Sequence, residues 1–80
     1  MEKYSEKRLD DAFRHWSEQL ETINSFKLTK KNIKYYAWIN VLSNSDVKLF
    51  EKRKHKIYKK CRKHCEMMLE RIENIKKGRI

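Results

Sequence analysis

The stretch SDVKLFEKRKHKIYKKCRKHCEMMLERIENIKK, residues 45–77, decides the fold of this 80-residue chain. It holds neither glycine nor proline. Stepping about 100° per residue gathers Val47, Phe50, Ile57, Tyr58, Cys61, Cys65, Met68, Ile72 and Ile75 within about 60° of one direction. That periodicity predicts one helix over about 46–77, roughly 45 Å long at about 1.5 Å per residue. Ser45 is its expected N-cap, or Ser43 with Asp46 at the third helical position. Lys54 falls in the middle of the apolar stripe, so either its stem snorkels across the core or the helix kinks or leaves the bundle there.

The rest of the chain follows the same pattern. There is no proline, and the single glycine, Gly78, lies near the end, so the punctuation that hairpins require is missing. Leu9, Phe13, Trp16, Leu20 and Ile23 alternate at spacings of four and three, which predicts a first helix over about 5–23. A second helix is predicted over about 30–42, after Thr29 as N-cap. This segment is apolar nearly all round, with Ile33, Tyr35, Tyr36, Ala37, Trp38, Ile39, Val41 and Leu42. A strand would also fit its period-two alternation, but no second strand is available in the chain to pair with it. The polar stretches at 24–25 and 43–46 are the expected breaks. The expected fold class is all-α: one small three-helix domain, residues 1–80, with a long C-terminal helix.

Composition narrows the function. With 39% apolar and 40% charged residues, the chain is too rich in core formers for a disordered tail and too polar for a membrane protein. No apolar run approaches the roughly 20 residues of a membrane span, and no signal-peptide core follows Met1, so a cytoplasmic protein is expected. Glycine-built phosphate cradles are excluded. Catalysis has no support in a paired carboxylate or a nucleophile beside a base, so no enzyme and no cofactor are expected. Cys61 and Cys65, with His64 between them and His55 upstream, supply at most part of a zinc site. Both cysteines lie inside the apolar stripe, where small buried thiols are the simpler reading.

Charge points elsewhere. The formal net charge is +10, and residues 47–80 carry thirteen bases against four acids. On the helical wheel Lys48, Lys52, His55, Lys56, Lys59 and Lys63 oppose the apolar stripe, with Arg53, Lys60 and Arg62 on its flanks. Lysines on a solvated face would account for a scattered charge run. Here seven Lys and two Arg cluster between positions 48 and 63 around a single acid, Glu51, a self-repelling arrangement that a polyanion would neutralise. The expected function is nucleic-acid binding, RNA in preference to DNA, with low sequence specificity. Lysine contacts phosphate as a mobile point charge and does not read base edges. Candidate contacts are Lys48, Lys52, Arg53, Lys56, Lys59, Lys60, Arg62 and Lys63, with Tyr35 and Tyr36 as candidates for stacking on unpaired bases. Trp38 and Tyr58 fit a core role better.

Two further expectations concern partners. Apolar residues spread round the second helix and down the third would be covered by self-association, so a homodimer is expected. The alternative function is a protein-binding inhibitor or adaptor, docking the cationic helix on an acidic partner or acting through shared RNA. Phage-encoded inhibitors of nucleases and defence systems are similar in size to this chain.

Overall fold

Leu9, Trp16 and Ile23 stand seven residues apart, two helical turns, and so recur on one side of a helix. In the computed structural model, which describes residues 6–78, that helix is α1 (Glu6–Asn24), and these three side chains form its buried face. The expected start at Ser5 lies outside the described residues. The buried direction turns toward Ala12, which is half-buried, and leaves Phe13 at the rim, 47% exposed with Lys76 Nζ 5.6 Å from its ring centroid.

Three further helices follow: α2 (Lys30–Trp38), α3 (Asn44–Lys48) and α4 (Lys54–Lys77), with no strand among the described residues. The all-α expectation holds. α1 and α4 run antiparallel: Asp10 meets Lys76 at 2.7 Å near one end, and Asn24 meets Arg62 at 2.9 Å toward the other. The two helices bury Ile23, Ile57, Cys61, Cys65 and Ile72 with the rest of the core. α1 thereby covers much of the late apolar stripe of α4: Met68 and Leu69 are half-buried, while Met67 remains 44% exposed.

α2 is helical, as expected, and begins with a capping box. Asn32 N–H donates to Thr29 Oγ1, and Asn32 Oδ1 accepts from Thr29 N–H. It ends four residues short of the expected boundary at Leu42, because Asn40 takes a left-handed φ of 65°. There the N–H of Asn40 donates to Ala37 O and that of Val41 to Tyr36 O, the paired bonds of a Schellman stop. α1 ends the same way: Phe26 has φ 55°, its N–H donates to Ile23 O, and Lys27 N–H donates to Thr22 O. Asparagine is at home in that conformation; a phenylalanine is an outlier.

The single helix expected over 46–77 is two helices. Ser43 caps α3 reciprocally with Asp46 at its third position, and the chain leaves helical geometry between Leu49 and Arg53 before α4 begins at Lys54. The break falls where Lys54 interrupts the stripe. A continuous helix would carry Lys54 into the core; the turn instead buries Phe50 and leaves the Lys54 ammonium outside, 5.6 Å from the Phe50 ring centroid and 3.9 Å from Glu51. No helix among the described residues is long and apolar enough to cross a membrane.

Candidate nucleic-acid interface

The break sorts the clustered bases into two groups. Asp46, only 1% exposed, accepts from Lys60 Nζ at 2.9 Å, from Arg53 Nη1 at 3.2 Å and from Ser43 N–H at 3.1 Å. The Lys60 ammonium, followed by the Ser43 N–H, holds the Asp46 carboxyl well below the usual carboxylate range, against the opposing pull of burial. Arg62 is likewise engaged, its Nε–H donating to Asn24 Oδ1. Arg53, Lys60 and Arg62 are the bases that the wheel sets on the flanks of the stripe. In the folded chain these three tie α3 and the end of α1 to α4.

The bases set opposite the stripe have no such ties. Lys48, Lys52, Lys56, Lys59 and Lys63 are all exposed, and none meets a carboxylate within ion-pair distance among the described residues. Lys56, Lys59 and Lys63 stand at successive turns of α4, while Lys52 belongs to the preceding turn and Lys48 to the end of α3. The expectation that these bases line one helix over 46–77 is therefore corrected: the first of them are carried by a short helix and a turn, and only positions 54–63 share one helical axis.

The first turn of α4 raises the positive potential further. It contains Lys54, His55 and Lys56 and no acid, and its N-cap, Arg53, makes no side-chain capping bond. Cations at a helix N-terminus oppose the macrodipole, each by about 0.3–1 kcal/mol where exposure is high, so helix stability does not explain their placement. By contrast Lys76 and Lys77, in the last turn, sit where the dipole favours them.

Aromatic placement departs from expectation. Tyr36, a stacking candidate from sequence, is fully buried; its hydroxyl donates to Gln19 Oε1 at 3.1 Å and lies 3.3 Å from Cys65 Sγ, which leaves no ring face for a base. This corrects that assignment. Burial also pushes the Tyr36 hydroxyl far above its ordinary value. Tyr35 is half-buried, with its hydroxyl 3.4 Å from His15 Nε2 and its ring 6.3 Å from that of Trp38. Tyr58 is in the core, its hydroxyl accepting from Leu28 N–H at 3.0 Å. Trp38, expected in the core, is 79% exposed, and Phe26, which no periodicity singles out, is 71% exposed. Phe26 lies beside the basic segment: with Lys54, His55, Tyr58, Lys59 and Arg62 it lines a groove of about 630 Å³.

Cys61 and Cys65 are both free and fully buried. Burial pushes the Cys61 thiol up to about 12 and raises Cys65 as well, so neither is a ready thiolate. His64 is shifted down by burial and by the Arg71 guanidinium, and its ring packs edge-on to Trp16 at 5.0 Å. Among the described residues no three His, Cys, Asp or Glu side chains converge as a metal cage would require. Set against known proteins, the chain matches no family model, no curated protein and no solved structure.

Proposed function

We propose that this chain binds nucleic acid, RNA in preference to DNA, with low sequence specificity, through the outward bases of α4 and the turn before it. One observation carries the reading: Lys52, Lys56, Lys59 and Lys63 remain exposed and meet no carboxylate among the described residues, while Arg53 and Lys60 beside them are paired within the fold. An ordered row of unpaired ammonium groups displaces the counterions condensed on a phosphate backbone and needs no base-edge contact. The basic first turn of α4 adds to the attraction at a cost to the helix itself. Pairing of two copies would set two such rows on one strand and raise avidity without new contacts.

Fluorescence anisotropy with unrelated labelled RNAs tests this. Similar affinities are expected for each, falling about 50-fold between about 50 and 200 mM salt if four ammonium groups each displace a counterion from a single strand. Reversing the charge at Lys52, Lys56, Lys59 and Lys63 together should abolish the shift and leave the helical circular dichroism intact. No binding by the native chain at the lower salt would overturn the proposal. A stoichiometric protein partner retained after nuclease treatment would then assign the same face to protein docking.

A further inference from the structure

Phe26 is the residue in this fold whose placement its own stability explains least. It occupies the left-handed position after α1, φ 55°, where glycine is the usual occupant of a Schellman stop and a bulky side chain is strained. Its ring is 71% exposed and pairs with that of Tyr58, 5.4 Å away between centroids and tilted by 38°. A glycine would make the same turn without exposing an aromatic surface. Strain combined with exposure in a residue bordering a cationic groove points to a ligand that uses the ring.

The groove describes that ligand. Phe26 and the buried Tyr58 ring give it an aromatic wall, and Lys54, Lys59 and Arg62 give it a cationic rim, with His55 between them. Tyr58 is fixed by the bond from Leu28 N–H, and Arg62 is oriented by Asn24 through Nε, with no further bond from its guanidinium to the described residues. Lys59 has no acidic partner among the described residues. At about 630 Å³ the space falls within the range of small-molecule sites and has room for an extruded base with its sugar and phosphate; a stacked duplex presents no free base face to it. We infer that the groove between Phe26 and the first turns of α4 receives an unpaired base of single-stranded RNA, stacked on Phe26, with the adjoining phosphate held by Lys59 and Arg62. This rests on the RNA-binding reading above and adds to it a preference for unpaired strands.

Phe26→Gly is the decisive variant, because glycine suits the local φ and the helical content should be retained. Affinities are compared for a 12-nucleotide single strand and for a duplex of the same sequence, at one salt concentration, for the native chain and for Phe26→Gly, Phe26→Tyr and Trp38→Ala. The expected result is a loss of fivefold to about a hundredfold for the single strand with Phe26→Gly, the range for one base on an aromatic ring, with duplex affinity unchanged. Phe26→Tyr, which keeps a π face, should bind as the native chain does, and so should Trp38→Ala. If the native chain binds both RNAs and Phe26→Gly alters neither, or weakens both equally, the base site is refuted while the phosphate contacts stand. A selective loss of single-strand affinity with Trp38→Ala in place of Phe26→Gly would also refute it. Failure of the native chain to bind either RNA at low salt removes the parent reading and the base site together.

Discussion

Lys59 and Lys60 are adjacent in sequence and on the same helix, yet Lys60 Nζ lies 2.9 Å from a buried carboxylate while Lys59 has no acid within reach among the described residues. The same contrast separates Arg53, held by Asp46, from Lys52 beside it. Between Lys59 and Lys60 a step of about 100° decides which role the base takes, because one flank of α4 faces α3 and the outer face meets solvent; between Lys52 and Arg53 the turn before α4 makes the same division. Formal charge therefore overstates the cationic surface of this segment. Part of the positive charge is a clamp that docks α3, part meets Asn24 and Glu51, and the outward lysines are left without a carboxylate among the described residues.

The clamp can be broken at Asp46. Asp46→Ala removes the acceptor for Lys60, Arg53 and Ser43 N–H at once, and should destabilise the fold by about 2–3 kcal/mol in chemical denaturation. The figure lies below that for a fully buried pair, since Arg53 and Lys60 are 40% and 43% exposed and can rehydrate. Asp46→Asn, which keeps an acceptor for the cap, should lose less. Because folding lowers the Asp46 carboxyl below its ordinary value of 3.8, its contribution is complete above that pH and is lost as pH falls toward the folded value. Native stability should therefore decline as the pH drops below about 4, and Asp46→Asn should flatten that decline.

Smaller effects sharpen the contrast between residues placed for the fold and residues placed for a partner. Phe26→Gly should be more stable than Phe26→Ala by about 1 kcal/mol in thermal melting, since the two differ mainly in tolerance of the left-handed conformation. Equal stability would mean that the turn carries no strain. At the N-terminus of α4, Lys56→Glu should raise stability by a few tenths of a kcal/mol by complementing the helix dipole, while RNA affinity falls. Stability and affinity moving in the same direction would deny that Lys56 is placed for binding.

Much of this organisation was legible in particular residues. Leu9, Trp16 and Ile23 placed α1, Thr29 placed the start of α2, and Ser43 with Asp46 placed the start of α3 as the second of two capping options. The position of Lys54 within the stripe raised an interruption as one of two options, the other being a snorkelling stem, and gave no sign that the chain would unwind for several residues to bury Phe50. Propensity alone gave no reason for α2 to stop at Trp38, because the stop depends on Asn40 adopting a left-handed conformation that asparagine merely permits. The wheel separated the flanking bases from the outward ones, but the partner of Arg53 and Lys60 depends on how α3 folds back, a tertiary contact that periodicity does not encode. Tyr36, expected to stack on a base, is buried and Trp38, expected in the core, is exposed, while Phe26 had no expected role, all for a related reason. In an element that is apolar all round, the buried side is chosen by the neighbouring helices, and an aromatic in a turn has no period to reveal it.

The most direct measurement compares Lys59→Gln with Lys60→Gln by the slope of log affinity for RNA against log salt concentration. Loss of Lys59 should reduce the magnitude of that slope by about 0.7–1, the share of one phosphate contact, whereas loss of Lys60 should weaken the fold and leave the slope of the folded protein unchanged. Equal changes in the two variants, or a reduction with Lys60→Gln alone, would contradict the division between clamp and interface.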